Sequence, residues 1–240
     1  MRNFIANSLK NQFTILTAKD GDDGFILATE QIPSLIISDV MMPKVNGIEL
    51  TGKLKSDERT SHIPVVLLTA KAEPESRLGG FKMGADDYLT KPFSTVELHV
   101  RINNLIEQRK RLAIKFRKEI SELPKPSEET SLDEKFVHRA KAIVEANLSD
   151  YTFSVEKMAE EIHLSRTQLF RKLKGVTGLS PNEFINNIRL QKAAKLILAK
   201  ADTLSQIGYS VGFNDQSYFA KRFRKKFGKS PSEYSNQSKT

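Results

Sequence analysis

The stretch that most limits how this chain can fold is Leu35-Ile36-Ile37-Ser38-Asp39-Val40-Met41-Met42-Pro43-Lys44-Val45-Asn46-Gly47. A short apolar run that closes on a carboxylate predicts a fully buried strand of a parallel sheet, and Pro43 and Asn46-Gly47 then force a turn. Ligands of an open parallel sheet bind beyond the carboxyl ends of its strands, which is where Asp39 falls. The plainer alternative gives Asp39 only the task of capping the turn. Two more runs of the same kind bear on that choice. Val65-Val66-Leu67-Leu68 closes on Thr69-Ala70, and Asp87-Tyr88-Leu89-Thr90 closes on Lys91-Pro92-Phe93. A carboxylate, a hydroxyl and an ammonium then converge on one sheet edge. Such a set can take a phosphoryl group on the aspartate and offset the charge of its oxygens.

The ordered set of Asp39-x-Met41-Met42-Pro43-x-x-x-Gly47, Thr69-Ala70 and Lys91-Pro92-Phe93 resembles the receiver domain of two-component response regulators. Thr69 lies thirty residues after Asp39 and Lys91 twenty-two further on, which also fits. The resemblance implies that Asp39 is the phospho-acceptor, Thr69 the switch hydroxyl, Lys91 the phosphate-contacting lysine and Tyr88 the rotating switch aromatic. It implies a Mg²⁺ ion held by Asp39 and the main-chain carbonyl of Met41. The blander reading of Met41 and Met42 is that they fill space beside the sheet.

The same resemblance implies a flavodoxin-like α/β fold with strand order 2-1-3-4-5. In that family a first strand ends in an acidic pair that holds Mg²⁺, whereas this sequence opens at Met1-Arg2-Asn3-Phe4, in what matches the first helix. The expectation is a receiver with its first strand missing, through a late start or as the tail of a longer hybrid sensor protein. Such a chain would bind Mg²⁺ poorly and accept phosphate slowly. Otherwise, residues 13–18 slide against the strand at Leu35 and leave a smaller sheet.

Along the chain, residues 2–12 predict a helix with Phe4, Ile5 and Leu9 on one face, and residues 13–18 a strand. The acidic turn Asp20-Gly21-Asp22-Asp23-Gly24 invites a calcium-loop reading, but Gln31 stands where the bidentate Glu of such a loop belongs. Asp22 or Asp23 is read instead as the cap of a helix reaching Glu30. Helices over residues 47–55 and 73–84 then alternate with the strands, as in a doubly wound sheet. A last helix, opened by the capping box Ser94-Thr95-Val96-Glu97, runs on through Arg101, Leu105, Arg109, Leu112 and Phe116. Leu123-Pro124-Lys125-Pro126 starts a polar linker. The expected division is a receiver over 1–108, a helical extension and linker over 109–131, and a second domain over 132–240.

Charge separates the two halves. Residues 151–240 carry 16 Lys/Arg against 7 Asp/Glu, while residues 1–108 carry 12 against 14, so the net +9 sits in the last third. Clustered positive charge favours a polyanion partner over a merely soluble basic surface. The chain has no cysteine, which excludes disulfides and thiolate metal sites. No apolar run is long enough to span a membrane and no signal segment is visible, so a cytoplasmic location is expected. The four histidines (His62, His99, His138 and His163) share no metal-ligand spacing.

The last third is helical by pattern and repeats itself. Met158-Ala159-Glu160-Glu161-Ile162-His163-Leu164 parallels Ile207-Gly208-Tyr209-Ser210-Val211-Gly212-Phe213, forty-nine residues on. Leu169-Phe170-Arg171-Lys172-Leu173, followed by Gly178-Leu179-Ser180-Pro181, parallels Phe219-Ala220-Lys221-Arg222-Phe223, followed by Gly228-Lys229-Ser230-Pro231, fifty residues on. Each copy reads as a helix-turn-helix. Ser165, Ser180 and Ser230 each open a capping box, the last two with proline at the first helical position. A generic helical bundle with a basic face is the alternative. Against it, a helix from Pro181 to about Ala199 would be roughly 28 Å long, near the ~34 Å separating successive major grooves.

This all-α segment with two helix-turn-helix motifs resembles the AraC-type DNA-binding domain. By that likeness the recognition helices cover residues 165–174 and 215–227, with Leu169, Leu173, Phe219 and Phe223 packed inward. Arg166, Thr167, Phe170 and Arg171 face the groove in the first, and Gln216, Ser217, Ala220 and Lys221 in the second. Lys172, Lys174, Arg222 and Lys225 are read as phosphate contacts. Phe170 has a bland alternative, since an aromatic at helical spacing is more often core.

The sequence thus points to a DNA-binding transcriptional response regulator controlled by phosphorylation of Asp39 in a phosphorelay. Its expected partners are double-stranded DNA, a histidine kinase or phosphotransfer domain, and a second copy of itself. The alternative is a phosphorylation-independent DNA-binding regulator whose receiver serves only as a docking or dimerisation scaffold. An enzyme reading is disfavoured, because there is no Gly-rich phosphate loop, no G-x-S-x-G and no nucleophile–His pairing.

Overall fold

The computed structural model describes residues 1–70, 83–119 and 130–236. They fall into two compact units, one built mainly from the first 116 residues and one from the last hundred or so. The helix expected over residues 73–84 and the linker from Leu123 lie outside the described residues, apart from Met83-Gly84 and the linker's last two positions.

The first unit contains α1 (Arg2–Leu9), α2 (Gly21–Gln31), β1 (Ile36–Asp39), α3 (Gly47–Ser56), β2 (Val65–Thr69), β3 (Asp87–Thr90) and α4 (Thr95–Glu119). The strands form a parallel sheet in the order β1-β2-β3. Successive side chains of a strand point to opposite faces, and here both faces are covered. Val66, Leu68 and Leu89 pack with Leu9, Leu98, Ile102 and Leu105 of α1 and α4. Val65, Leu67 and Tyr88 pack with Ala28, Leu50 and Leu54 of α2 and α3. Burial on both sides explains why β2 is apolar at every position but its last, Thr69.

Three expectations for this unit are corrected. Residues 13–18 are not a strand; they run without ladder bonds, although Phe13 and Ile15 lie against the α1–α4 core. In the 2-1-3-4-5 order this segment has as its only partner the strand between it and β1. No described residue fills that place, and the segment does not slide across to pair with β1. The cap of α2 is Asp20, whose carboxylate accepts from the Asp23 amide at 3.0 Å, not Asp22 or Asp23. Met41 fills no space beside the sheet, being 79% exposed, whereas Met42 is packed against the α2–α3 core.

The second unit is helical: α5 (Leu132–Ala146), α6 (Val155–Glu161), α7 (Arg166–Thr177), α8 (Pro181–Leu198), α9 (Leu204–Ser210), α10 (Gln216–Phe227) and α11 (Pro231–Asn236). Three caps are those read from the sequence, and Ser154, Thr203 and Asp215 cap α6, α9 and α10 besides. Gln168 and Ser165, Glu183 and Ser180, and Glu233 and Ser230 close reciprocal boxes at the starts of α7, α8 and α11. The 18 residues of α8 make a rod about 27 Å long. Its second half packs against α9, α10 and α11, where Phe213, Phe219, Phe223, Phe227 and Tyr234 form a chain of ring contacts.

The two turns of the repeat share one backbone solution. In the first, the Leu164 amide donates to Ala159 O and the His163 amide to Glu160 O; in the second, Phe213 donates to Gly208 O and Gly212 to Tyr209 O. This paired bonding is the Schellman arrangement, which needs a left-handed residue after the helix. His163 supplies it at φ 60° and Gly212 at φ 82°. Only the second turn demands glycine on steric grounds, because a Cβ on Gly212 would meet Leu148 O at 2.4 Å.

Two substitutions separate backbone strain from packing. His163→Gly relieves a left-handed side-chain clash and should raise the stability of this unit by up to about 1 kcal/mol in urea unfolding. Gly212→Ala should lower it by at least about 2 kcal/mol, since strain and overpacking add.

Candidate functional site

The parallel register brings Asp39, Thr69 and Lys91 to one edge. Asp39 pairs with Leu68 across β1 and β2, and Thr69 with Thr90 across β2 and β3, so the three strands end together. The ladder extends one step past each strand: the Val40 amide donates to Leu68 O at 2.9 Å and the Lys91 amide to Thr69 O at 2.8 Å. The Lys91 ammonium donates to one carboxylate oxygen of Asp39, and the Met41 amide donates to the other at 3.1 Å. Thr69 is buried at the strand end between them. Tyr88 lies one pleat earlier on β3, its ring buried in the α2–α3 core. All four residues read from the sequence are thus on or next to the strands that form the edge.

Close backbone approach fixes the loop after Asp39. The Gly47 amide donates to Val40 O at 3.0 Å, and a Cβ on Gly47 would lie 2.2 Å from the main-chain oxygen of Asp39. Asn46 then starts α3 with a full capping box to Glu49. On the other side Lys44, at φ 64°, reaches back to the Asp20 carboxylate at 2.9 Å. The Asp23 amide and the Lys44 ammonium together hold the Asp20 carboxyl below its ordinary range.

Among the described residues, a Mg²⁺ ion at this edge would have the Asp39 carboxylate and the main chain of Met41 to hold it. Magnesium takes oxygen ligands, commonly one or two carboxylates with water and phosphate oxygens. Among the described residues no group of three acidic or histidine side chains could hold a metal ion. The two oxygens of Asp39 accept from the Lys91 ammonium and the Met41 amide, one donor each, which leaves each a lone pair.

The start of β3 is a second charged cluster, which sequence reading missed. Arg101 of α4 grips both oxygens of Asp87, at 2.8 and 2.9 Å, and also reaches Glu97. Asp86 accepts from the Val65 amide at 2.9 Å and from Lys55 at 2.7 Å. Burial pushes the Lys55 ammonium down, against the pull of Asp86. The strand that ends at Lys91 is therefore anchored by ion pairs at its beginning. The adjacent Asp86-Asp87 pair was the visible signal, and by itself it reads as a solvated turn.

In the second unit the inward set is as expected: Leu169, Leu173, Phe219 and Phe223 are buried. Arg166, Thr167, Ser217 and Lys221 are exposed, while Arg171, Gln216 and Ala220 are half-buried. Phe170 is 47% exposed beside Arg171, so it is not a core residue. Gln216 does not point freely outward, because its amide donates to Ser205 O at 3.1 Å. One phosphate-contact reading fails. Lys172 is fully buried with its ammonium 5.4 Å from the centre of the Phe136 ring, so no phosphate can reach it. It follows Arg171 by one residue, and that turns it to the inner side of α7.

Comparison with known proteins finds two families. Residues 1–103 match the response regulator receiver domain and residues 158–237 a helix-turn-helix domain. A protein of Formosa agariphila named histidine kinase P4 is 44% identical over 99% of this chain and 17% of its own length. The DNA-binding dual master transcriptional regulator RpaA of Synechocystis is 42% identical over 42% of either chain. A solved Chromobacterium violaceum transcriptional regulator, described as containing an AraC-type DNA-binding domain, is 28% identical over 44% of this chain and 93% of its own, with a TM-score of 0.41. The chain spans less than half the length of either curated relative.

Gly47→Ala should disturb the edge without touching its polar side chains. Its Cβ forces Asp39 away from the Met41 amide, and the first unit should lose about 1–3 kcal/mol in chemical unfolding.

Proposed function

The chain carries a response regulator receiver domain over residues 1–103 and a helix-turn-helix domain over residues 158–237, and from that pairing we propose a transcriptional response regulator switched by phosphorylation of Asp39. The observation that carries the reading is the Asp39–Lys91 ion pair at the common end of three parallel strands. The phosphoryl donor is a histidine kinase or phosphotransfer domain. An oxygen of Asp39 bonds to phosphorus as the bond to the donor's leaving group breaks. Lys91 then trades a carboxylate oxygen for the phosphoryl oxygens, and the Thr69 hydroxyl donates to them. Tyr88 and α4 follow, since the strand bearing Lys91 also carries Tyr88 and is pinned to α4 through Arg101. The added charge shifts the balance between two receiver states, one of which favours dimerisation or DNA binding.

The DNA-binding half is read as AraC-type, with α7 and α10 entering successive major grooves of a duplex. Arg166, Thr167, Phe170 and Arg171 serve the first groove and Ser217, Ala220 and Lys221 the second; Gln216 contributes there by leaving Ser205. Arg222, Lys225 and Lys174 meet phosphates. The division into receiver, extension and DNA-binding domain at residues 108 and 131 follows the same reading.

A second reading is favoured by the poor set of metal ligands. Here the receiver docks or dimerises and DNA binding ignores Asp39. A kinase carried in line with these domains is a third arrangement, which the Formosa relative's name and length support.

Exposure to acetyl phosphate and Mg²⁺ tests the first two. The proposed switch requires one phosphoryl group by intact mass, absent in Asp39→Asn, and tighter DNA binding after labelling. Binding that is equal with and without label favours the scaffold. On the DNA side, Arg171→Ala should cost about 1–3 kcal/mol on a selected duplex and relax one base position. An equal loss on random DNA would make Arg171 a phosphate contact.

A further inference from the structure

The middle of α8 holds a charge where an apolar side chain would pack more cheaply. Arg189 is 6% exposed and lies between the buried residues Ile188 and Leu190. Its Nη1 donates to Gly212 O at 3.1 Å and its Nη2 to Asp150 O at 2.6 Å. Its Nε–H meets no acceptor among the described residues. The Asp150 carboxylate is turned to Thr152 and Lys157 and makes no ion pair with the guanidinium. Burying a cation against two carbonyls is a poor way to gain stability, and such groups can serve instead to fix one arrangement among several.

The two carbonyls belong to different halves of the repeat. Asp150 starts the loop that leads through the cap Ser154 into α6, the first helix of the first motif. Gly212 is the left-handed residue in the turn of the second motif. Arg189 projects from the rod that joins them. Gly212 is fitted to the fork, since a Cβ there would lie 2.8 Å from the Arg189 Cζ. Each half also has a core of its own: Phe136, Met158, Leu169 and Leu173 are buried in the first, and Ile207, Val211, Phe219 and Phe223 in the second. Hydrophobic packing holds each motif together. Leu148, in the loop before α6, also packs on the second core; such packing is non-directional, while the planar guanidinium sets a direction.

We propose that Arg189 is a positioning residue that locks the two helix-turn-helix motifs in one relative orientation and so sets the half-site spacing the chain reads. This rests on the tandem DNA reading above. It predicts a loss confined to bipartite binding, which a general weakening of the fold would not produce.

The test uses the full chain and a duplex selected by the wild type from a random pool. Two companions carry one half-site scrambled, and two more have the spacer lengthened or shortened. By anisotropy, Arg189→Met should bind each single half-site within about twofold of wild type, yet lose about tenfold or more on the intact site. It should also discriminate less between spacers. Arg189→Lys, whose head reaches one carbonyl at a time, should fall between. Parallel losses on intact and scrambled duplexes, or none on the intact one, overturn the proposal. If circular dichroism shows the Met variant unfolded, the Lys variant decides, and an unchanged spacer preference there is a refutation. A wild type that protects a single groove overturns the tandem reading as well, and that result needs no variant.

Discussion

Three parallel strands that end at the same level are the constraint from which the receiver half follows. Parallel register requires crossovers, and the crossovers lay helices on both faces. Both faces must then be apolar, which leaves the strand ends as the place where polar side chains can gather. Asp39, Thr69 and Lys91 gather there because Asp39 sits opposite Leu68 and Thr69 opposite Thr90. A slip of one residue in either pairing would swap the faces of a whole strand and part Asp39, Thr69 and Lys91. The anchoring of β3 by Arg101 and Lys55 guards that register from the opposite end.

In the second half the governing device is duplication on a rod. The same paired turn bonds recur at His163 and Gly212, and the same inward residues recur at Leu169 and Phe219. The copies differ where they meet the rest of the domain. The first turn is exposed and tolerates a histidine in a left-handed conformation. The second turn is pressed between Leu148 and Arg189, so it must be glycine. One repeat carries the architecture, and the differences between copies record what each copy touches.

Features that depend on local chemistry were legible in the chain. Caps at Ser165, Ser180 and Ser230 follow from a hydroxyl and a carboxamide or carboxylate three residues apart, a contact made within one turn. The strand ends at Asp39, Thr69 and Lys91 follow from apolar runs that stop. Features that depend on an absent or distant partner were not legible. Residues 13–18 have strand composition, but a strand exists only with a neighbour to bond. The sequence offers three aspartates in four positions before α2, and only the reach of Lys44 and the Asp23 amide distinguishes Asp20. Lys172 looked like another cation on a basic helix, and its burial against Phe136 depends on a residue thirty-six positions away.

Sequence alone determined the periods, the stops and the repeat, and therefore the parallel sheet, the tandem motif and the residue types at each strand end. Those are properties of neighbours along the chain, where geometry is fixed by covalent spacing. Tertiary structure alone decided that Lys91 and Met41 occupy the two oxygens of Asp39, that Gln216 is held by Ser205, and that Arg189 joins Asp150 to Gly212. Each is a choice among several polar groups within reach. Only the packing of the surrounding apolar side chains settles which of them lie within 3 Å or so of each other.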